Sequence, residues 1–228
     1  MMPLRRHRLA HLTDAGWAEV RTHARDAPAQ ACIDHWAAQR LPLVVTRQPP
    51  QDASVPAPIS LGLPAPLQWE RRRLSLQVPR HALAWFDEFP RATDAATLLP
   101  RAPRAAFRAL VRALVGCRAP AHVYGSYGWQ LLTGLGYVRE SSDIDLWIAV
   151  DGADHADAVV HHLEHFACRQ PRLDGELVFS DGTAVAWREW RAWRASRTQR
   201  LLVKRLQGAA MADSSFLPRG ERMLEVAA

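Results

Sequence analysis

The sequence predicts a fold between the α/β and α+β classes: a mixed sheet with helices, preceded by a smaller N-terminal α+β domain. Two patterns and a composition carry this. In the C-terminal part, segments with apolar residues at helical spacing alternate with short strand-like runs. In the N-terminal part a helix-like "CIDHWAAQRL" and the strand-like "LPLVVTR" and "RLSLQV" stand among irregular and proline-rich chain. With 228 residues, 48% hydrophobic and 23% charged, the chain is long and apolar enough for one large or two small cores. The boundary falls near "FPRATDAATLLPRAP", dividing residues 1–90 from 91–228.

In the first part, Leu74, Leu76 and Val78 alternate with polar residues as a half-buried strand does, and the stretch 48–66 reads as loop. In the second, Phe107, Leu110, Val111, Leu114 and Val115 fall at helical spacing, with Pro103 suited to the first turn and Gly116 to the stop. A strand "AHVYG", a short helix "YGWQLLTG" ending at Gly134 and a strand "DIDLWIAV" follow. A helix over 153–167 turns Ala156, Val159, Val160 and Leu163 inward, and "GELVFSDGTAVAW" reads as a hairpin about Asp181-Gly182. An arginine- and tryptophan-rich helix and a weakly patterned tail close the chain.

Cys32, Cys117 and Cys168 are odd in number and form no C-x-x-C pair, which argues against a disulfide framework and a structural zinc site. No apolar run follows the basic N-terminal residues and none is long enough to span a membrane, so a soluble, cytoplasmic protein is expected. The formal charge of +6 and pI near 10.0 favour an anionic partner without choosing among nucleic acid, polyphosphate and acidic protein. Only Lys204 among the 29 basic residues is a lysine.

The informative stretch is "VYGSYGWQLLTGLGYVRESSDIDLWIAV". Residues two apart on a strand share a face, so Asp143 and Asp145 project together while Ile144, Leu146 and Ile148 pack behind. Two carboxylates so placed suit a hard cation such as magnesium, which completes its shell with substrate phosphates. Gly125 lets backbone approach an anion closely, and Ser126 opens a helix whose free N–H groups suit phosphate. The plain alternative is a capped helix start and a solvated strand end.

"YGS" followed by "SDIDL" resembles the signature of the polymerase-β-like nucleotidyltransferases. More narrowly, that whole stretch together with "RLDGELVFSDGTAVAWREW", "LLVK", "RRHRLAHL" and "LPLVVTR" is similar to the malonate decarboxylase holo-acyl-carrier-protein synthases, the phosphoribosyl-dephospho-CoA transferases. The resemblance implies a nucleotidyltransferase-like mixed sheet. It also implies transfer of a phosphoribosyl-dephospho-CoA group from its triphosphate precursor to a serine of the apo acyl-carrier subunit of malonate decarboxylase, releasing pyrophosphate. Asp143 and Asp145 would hold Mg2+, and Asp174 or Glu176 would add the third carboxylate usual in the superfamily. The alternatives are nucleotidyl transfer to another acceptor and, less favoured, a basic nucleic-acid-binding module.

Lys204 is a candidate phosphate contact and His7 a weaker candidate for substrate contact. Trp187, Trp190 and Trp193, interleaved with Arg188, Arg191 and Arg194, can bind a base and phosphates or form a buried helix stripe. His155, His161, His162 and His165 share a helix on which a solvated face is favoured over a metal site. Arg188, Arg191, Arg194 and Arg197, with the arginines at 71–73, are the expected docking charges for an acidic carrier.

Overall fold

The computed structural model describes residues 4–23, 25–49 and 57–213. In chain order these form β1 (Leu9–Leu12), α1 (Asp14–Thr22), α2 (Ala27–Ala38), β2 (Leu43–Val45), β3 (Ile59–Pro64), β4 (Arg73–Val78), β5 (Leu83–Asp87), α3 (Ala92–Ala95), α4 (Arg101–Gly116), β6 (Ala121–Tyr124) and α5 (Gly125–Thr133). Then follow β7 (Ile144–Val150), α6 (Ala153–Glu164), β8 (Leu173–Phe179), β9 (Ala184–Ala186), α7 (Trp187–Arg194), β10 (Leu201–Lys204) and β11 (Ala209–Ala212). Two sheets result, a five-stranded one in the order β4-β3-β2-β1-β5 and a six-stranded one in the order β11-β10-β9-β8-β7-β6.

The first sheet is antiparallel throughout, and its inner face packs on α1 and α2 through Trp17, Ile33, Trp36, Leu61 and Leu63. The loop expected over 48–66 is corrected here. Residues 50–56 lie outside the described residues, but Ile59, Leu61 and Leu63 are fully buried on β3. Their alternation with Ser60 and Gly62 is a strand pattern that the surrounding prolines obscure. Gly62 fits because a Cβ there would lie 2.8 Å from the Thr46 methyl. Also outside the sequence reading are β1 and α1, whose N-cap Thr13 accepts from Gly16 N at 3.0 Å.

The second sheet is mixed: β7 and β8 run parallel, joined through α6, and the remaining pairs are antiparallel. On one face Ile144, Leu146, Ile148, Leu177, Val185 and Val203 form a core with Phe107, Leu110 and Leu114 of α4, Val159 and Leu163 of α6, and Trp187 and Trp190 of α7. The segment left as a weakly patterned tail supplies β10 and β11, because Leu201 and Val203 alternate with the half-buried Leu202 and Lys204. A small cluster of Leu9, Phe89 and Trp129 joins the first sheet to α5, and Tyr137 Oη donates to Pro64 O at 2.7 Å across the same junction.

Candidate active site

The face of the second sheet opposite its helices carries the polar chemistry. In the antiparallel β6–β7 register Tyr124 pairs with Asp145 and His122 with Trp147. In the parallel β7–β8 register Asp145 pairs with Asp174 and Trp147 with Glu176. The period-two pleat therefore brings Tyr124, Asp145, Asp174 and Glu176 onto one surface, with Asp143 just before β7 at its mouth. His122 stacks on Trp147 with ring centroids 4.5 Å apart, as the register requires.

Asp143 and Asp174 are bridged by one guanidinium: Arg172 Nη2 donates to Asp143 Oδ2 at 2.5 Å and to Asp174 Oδ2 at 3.4 Å. Asp145 lies deeper. Burial, then the charges of Asp174 and Asp143, push its carboxyl up to about 7, against a smaller opposing pull from Arg172. Such a concentration of acceptor oxygens, short of positive charge at its centre, is what a hard divalent cation relieves, so the donor chemistry fits magnesium. Among the described residues no group of three or more His, Cys, Asp or Glu side chains is drawn around a metal-sized point; Arg172 is the counter-charge present.

Glu176, the alternative third carboxylate, faces different company. It is 5% exposed. It accepts from Lys204 Nζ at 2.6 Å, from His7 Nε2 at 2.7 Å and from Arg6 Nη2 at 3.4 Å. Burial alone would raise its carboxyl, but the bond and charge of His7, the Lys204 bond and the charge of Arg6 hold it well below the usual carboxylate range. Lys204 reaches it across β9, which offers only Ala184 and Ala186 on this face. Lys204, read from sequence as a phosphate contact, thus serves first as the partner of Glu176. His7, at φ 60°, also packs against the Tyr124 ring at 4.5 Å, so the N-terminal segment is tied directly to the sheet of the aspartates.

Gly125 and Ser126 form the first turn of α5, directly after β6. Gly125 has φ +60°, and a Cβ there would stand 2.0 Å from Asp145 Oδ2. The anion that this glycine lets the backbone approach is thus the chain's own aspartate as well as any ligand phosphate. Both residues line a cleft of about 510 Å3 that β3 and β4 of the first sheet wall on the other side.

Other sequence candidates fall outside this site. Trp187 and Trp190 are 3% and 0% exposed and Trp193 is half-buried against the same core, so the tryptophans form the helix stripe rather than an open base-binding face. Arg188 donates to Leu173 O, Arg191 to Glu164, and Arg194 to Asp157. Three of the expected docking charges are thereby engaged in holding α7. His161 and His165 lie on an exposed face with rings 4.4 Å apart, and His155 bonds Cys117 O. All three cysteines are free, and among the described residues no helix is long and apolar enough to cross a membrane. Sequence reasoning passed over Arg172, although its parity with Asp174 marked it for the same face.

Comparison with known proteins gives a consistent family. Residues 76–215 match the model described as the phosphoribosyl-dephospho-CoA transferase MdcG C-terminal domain, and residues 5–89 match the corresponding N-terminal domain. A phosphoribosyl-dephospho-CoA transferase of Xanthomonas euvesicatoria pv. vesicatoria is 37% identical over 219 residues, 94% of each chain. One of Xanthomonas axonopodis pv. citri is 36% identical over 222 residues, again 94% of each. One of Bradyrhizobium diazoefficiens is 31% identical over 212 residues, 92% of this chain and 91% of that one. No solved structure matches.

Proposed function

This chain belongs to the phosphoribosyl-dephospho-CoA transferase family, and from that premise we propose that it loads the acyl-carrier subunit of malonate decarboxylase in the cytoplasm. The donor is the triphosphate precursor of the 2'-(5''-phosphoribosyl)-3'-dephospho-CoA group. A carrier serine hydroxyl attacks the α-phosphorus and gives up its proton to solvent, the bond to the pyrophosphate oxygen breaks, and pyrophosphate leaves. The observation that carries the reading is the Asp143, Asp145 and Asp174 array beside the Gly125-Ser126 turn.

Within that array Asp143 and Asp145 are the residues to hold Mg2+. Asp174 is the third carboxylate, because Glu176 is already neutralised by Lys204, His7 and Arg6. Magnesium, when bound, supplies charge neutralisation for the phosphate oxygens in the transition state. The chain's own contribution is placement: the strands fix the carboxylates at pleat spacing, and Gly125 keeps the phosphate turn within reach of Asp145. Arg172, which donates to Asp143 and Asp174, is the counter-charge that a bound cation would have to replace at those carboxylates. Lys204, held at the edge of the same surface, provides a positive charge near the polyphosphate without competing for the metal.

Incubation with the triphosphate precursor, Mg2+ and apo carrier is expected to raise the carrier's mass by one prosthetic group. Unchanged carrier mass, with every component intact and folded, refutes the proposal. With ATP as sole donor, addition of an AMP mass to the carrier would assign a general nucleotidyl transfer instead.

A further inference from the structure

The cleft between the two sheets has a composition that the aspartates do not explain. Its floor is apolar, from Leu63, Pro64 and Leu74 on one side and Trp129 on the other, and its rim carries Arg71, Arg73 and Arg139. Among the described residues no acidic side chain lines it. Among the described residues none of these three guanidinium groups has a side-chain or carbonyl partner. Arg72, between two of them, is by contrast neutralised by Glu70 and Asp26. Leu67 stands at the edge 66% exposed, a large apolar side chain left uncovered beside positive charge. A pocket of this size, apolar with a few placed charges, suits a small molecule with an apolar body and more than one negative charge.

We propose that this cleft holds the dephospho-CoA portion of the donor, its diphosphate on Arg71, Arg73 and Arg139 and its base and pantetheine arm against the apolar floor. This rests on the transferase reading and extends it by giving the N-terminal sheet a role in donor binding. The continuity is physical: Gly125 belongs to the cleft lining and also abuts Asp145, so a ligand with its triphosphate at the aspartates passes the Gly125-Ser126 turn and enters the cleft. Arg71 and Arg73, expected from the sequence to meet the carrier, are thereby assigned to the donor.

The test uses the full chain and dephospho-CoA alone as probe, by calorimetric titration. Wild-type protein is expected to bind it, R71A/R73A to bind at least about tenfold more weakly and R139A several-fold more weakly, with R72A unchanged. All of these positions are exposed or half-buried, and thermal melts check that the variants remain folded. In the transfer reaction R71A/R73A is expected to raise KM for the donor and leave KM for the carrier alone. Equal binding by wild type and R71A/R73A, or no binding by wild type, overturns the proposal; so does a rise confined to carrier KM, which would make the cleft a seat for an acidic segment of the partner. The two readings fail separately. Carrier loading by wild type and R71A/R73A with equal donor KM refutes the cleft alone. Arginine-dependent dephospho-CoA binding without any loading refutes the transferase reading and leaves the cleft standing.

Discussion

Asp145 and Asp174 are direct Cα partners in the parallel register between β7 and β8, so two carboxylates stand side by side with Asp143 as a third. The strain of that arrangement shows in Asp145, whose pKa is pushed up to about 7 by burial and by the other two charges. The ordinary value is 3.8, so between about pH 4 and 7 the folded state binds more protons than the unfolded one. Metal-free stability should therefore fall as pH rises through that window. Asp145→Asn should abolish this slope and stabilise the metal-free protein at pH 8 by about 2 kcal/mol. Mg2+ should raise the melting temperature of the wild type more at pH 8 than at pH 6, and that of Asp145→Asn at neither. Melts across pH with and without the cation check both.

Amide exchanges separate the two alternatives for the third carboxylate. Asp174→Asn is expected to lower transfer by at least about a thousandfold, the scale of removing a group that stabilises transition-state charge, while the melting temperature holds or rises as repulsion is relieved. Glu176→Gln leaves Lys204, His7 and Arg6 without their shared counter-charge. It should cost about 3 kcal/mol of stability, seen as a lower denaturant midpoint. A stable but inactive Glu176→Gln protein beside an active Asp174→Asn protein would exchange the two assignments.

The acidic half of the candidate site was legible as geometry because strand parity is a local property: "SDIDL" and "RLDGE" each announce two same-face carboxylates, and only their relative register was missing. The Glu176 cluster was not legible. Its members come from residues 6, 7, 176 and 204, and no local periodicity records that an N-terminal turn will close over a distant strand. Arg172 and the arginines at 71 and 73 illustrate a second limit. In a chain that places arginine everywhere, the sequence cannot say which guanidinium groups find carboxylates and which stay open, and the same run of three contains both kinds. The short strands β1, β10 and β11 escaped because four residues hold too few alternations to stand out from loop.

Gly125→Ala should fail for two separable reasons. The left-handed φ costs an alanine about 1 kcal/mol, and the added methyl would meet Asp145 Oδ2. We expect a folded protein, destabilised by about 2 kcal/mol, with transfer lowered at least about a hundredfold because Asp145 is displaced. Adding Asp145→Ala should recover the steric part of the lost stability and none of the activity. A double-mutant cycle on the denaturant midpoint measures that coupling; strict additivity would show that the two residues do not meet.

The last prediction concerns the arginines of α7. Arg194 makes paired bonds to Asp157, through Nε at 3.0 Å and Nη2 at 2.5 Å, and Trp190 Nε1 donates to the same carboxylate at 2.8 Å. Asp157 on α6 thus fixes both a buried ring and the end of α7, the helix that packs on β8, β9 and β10. An Arg194→Glu exchange places like charges together there. Because the pair is partly open to solvent, its loss should cost only about 1 kcal/mol, a fall in melting temperature of about 2–4 °C for a chain of this length. If α7 were the carrier-docking surface, the same change would raise carrier KM steeply and flatten its salt dependence. With the charge already spent on Asp157, we expect carrier KM within about twofold of wild type. The charge-swapped Asp157→Arg, Arg194→Glu protein separates the two cases. An arginine at 157 cannot accept from Trp190 Nε1, so wild-type stability is not restored. The double variant should nonetheless melt higher than Asp157→Arg alone if the pair is a clamp between helices, whereas a docking arginine, once reversed, stays lost to the carrier whatever stands at 157.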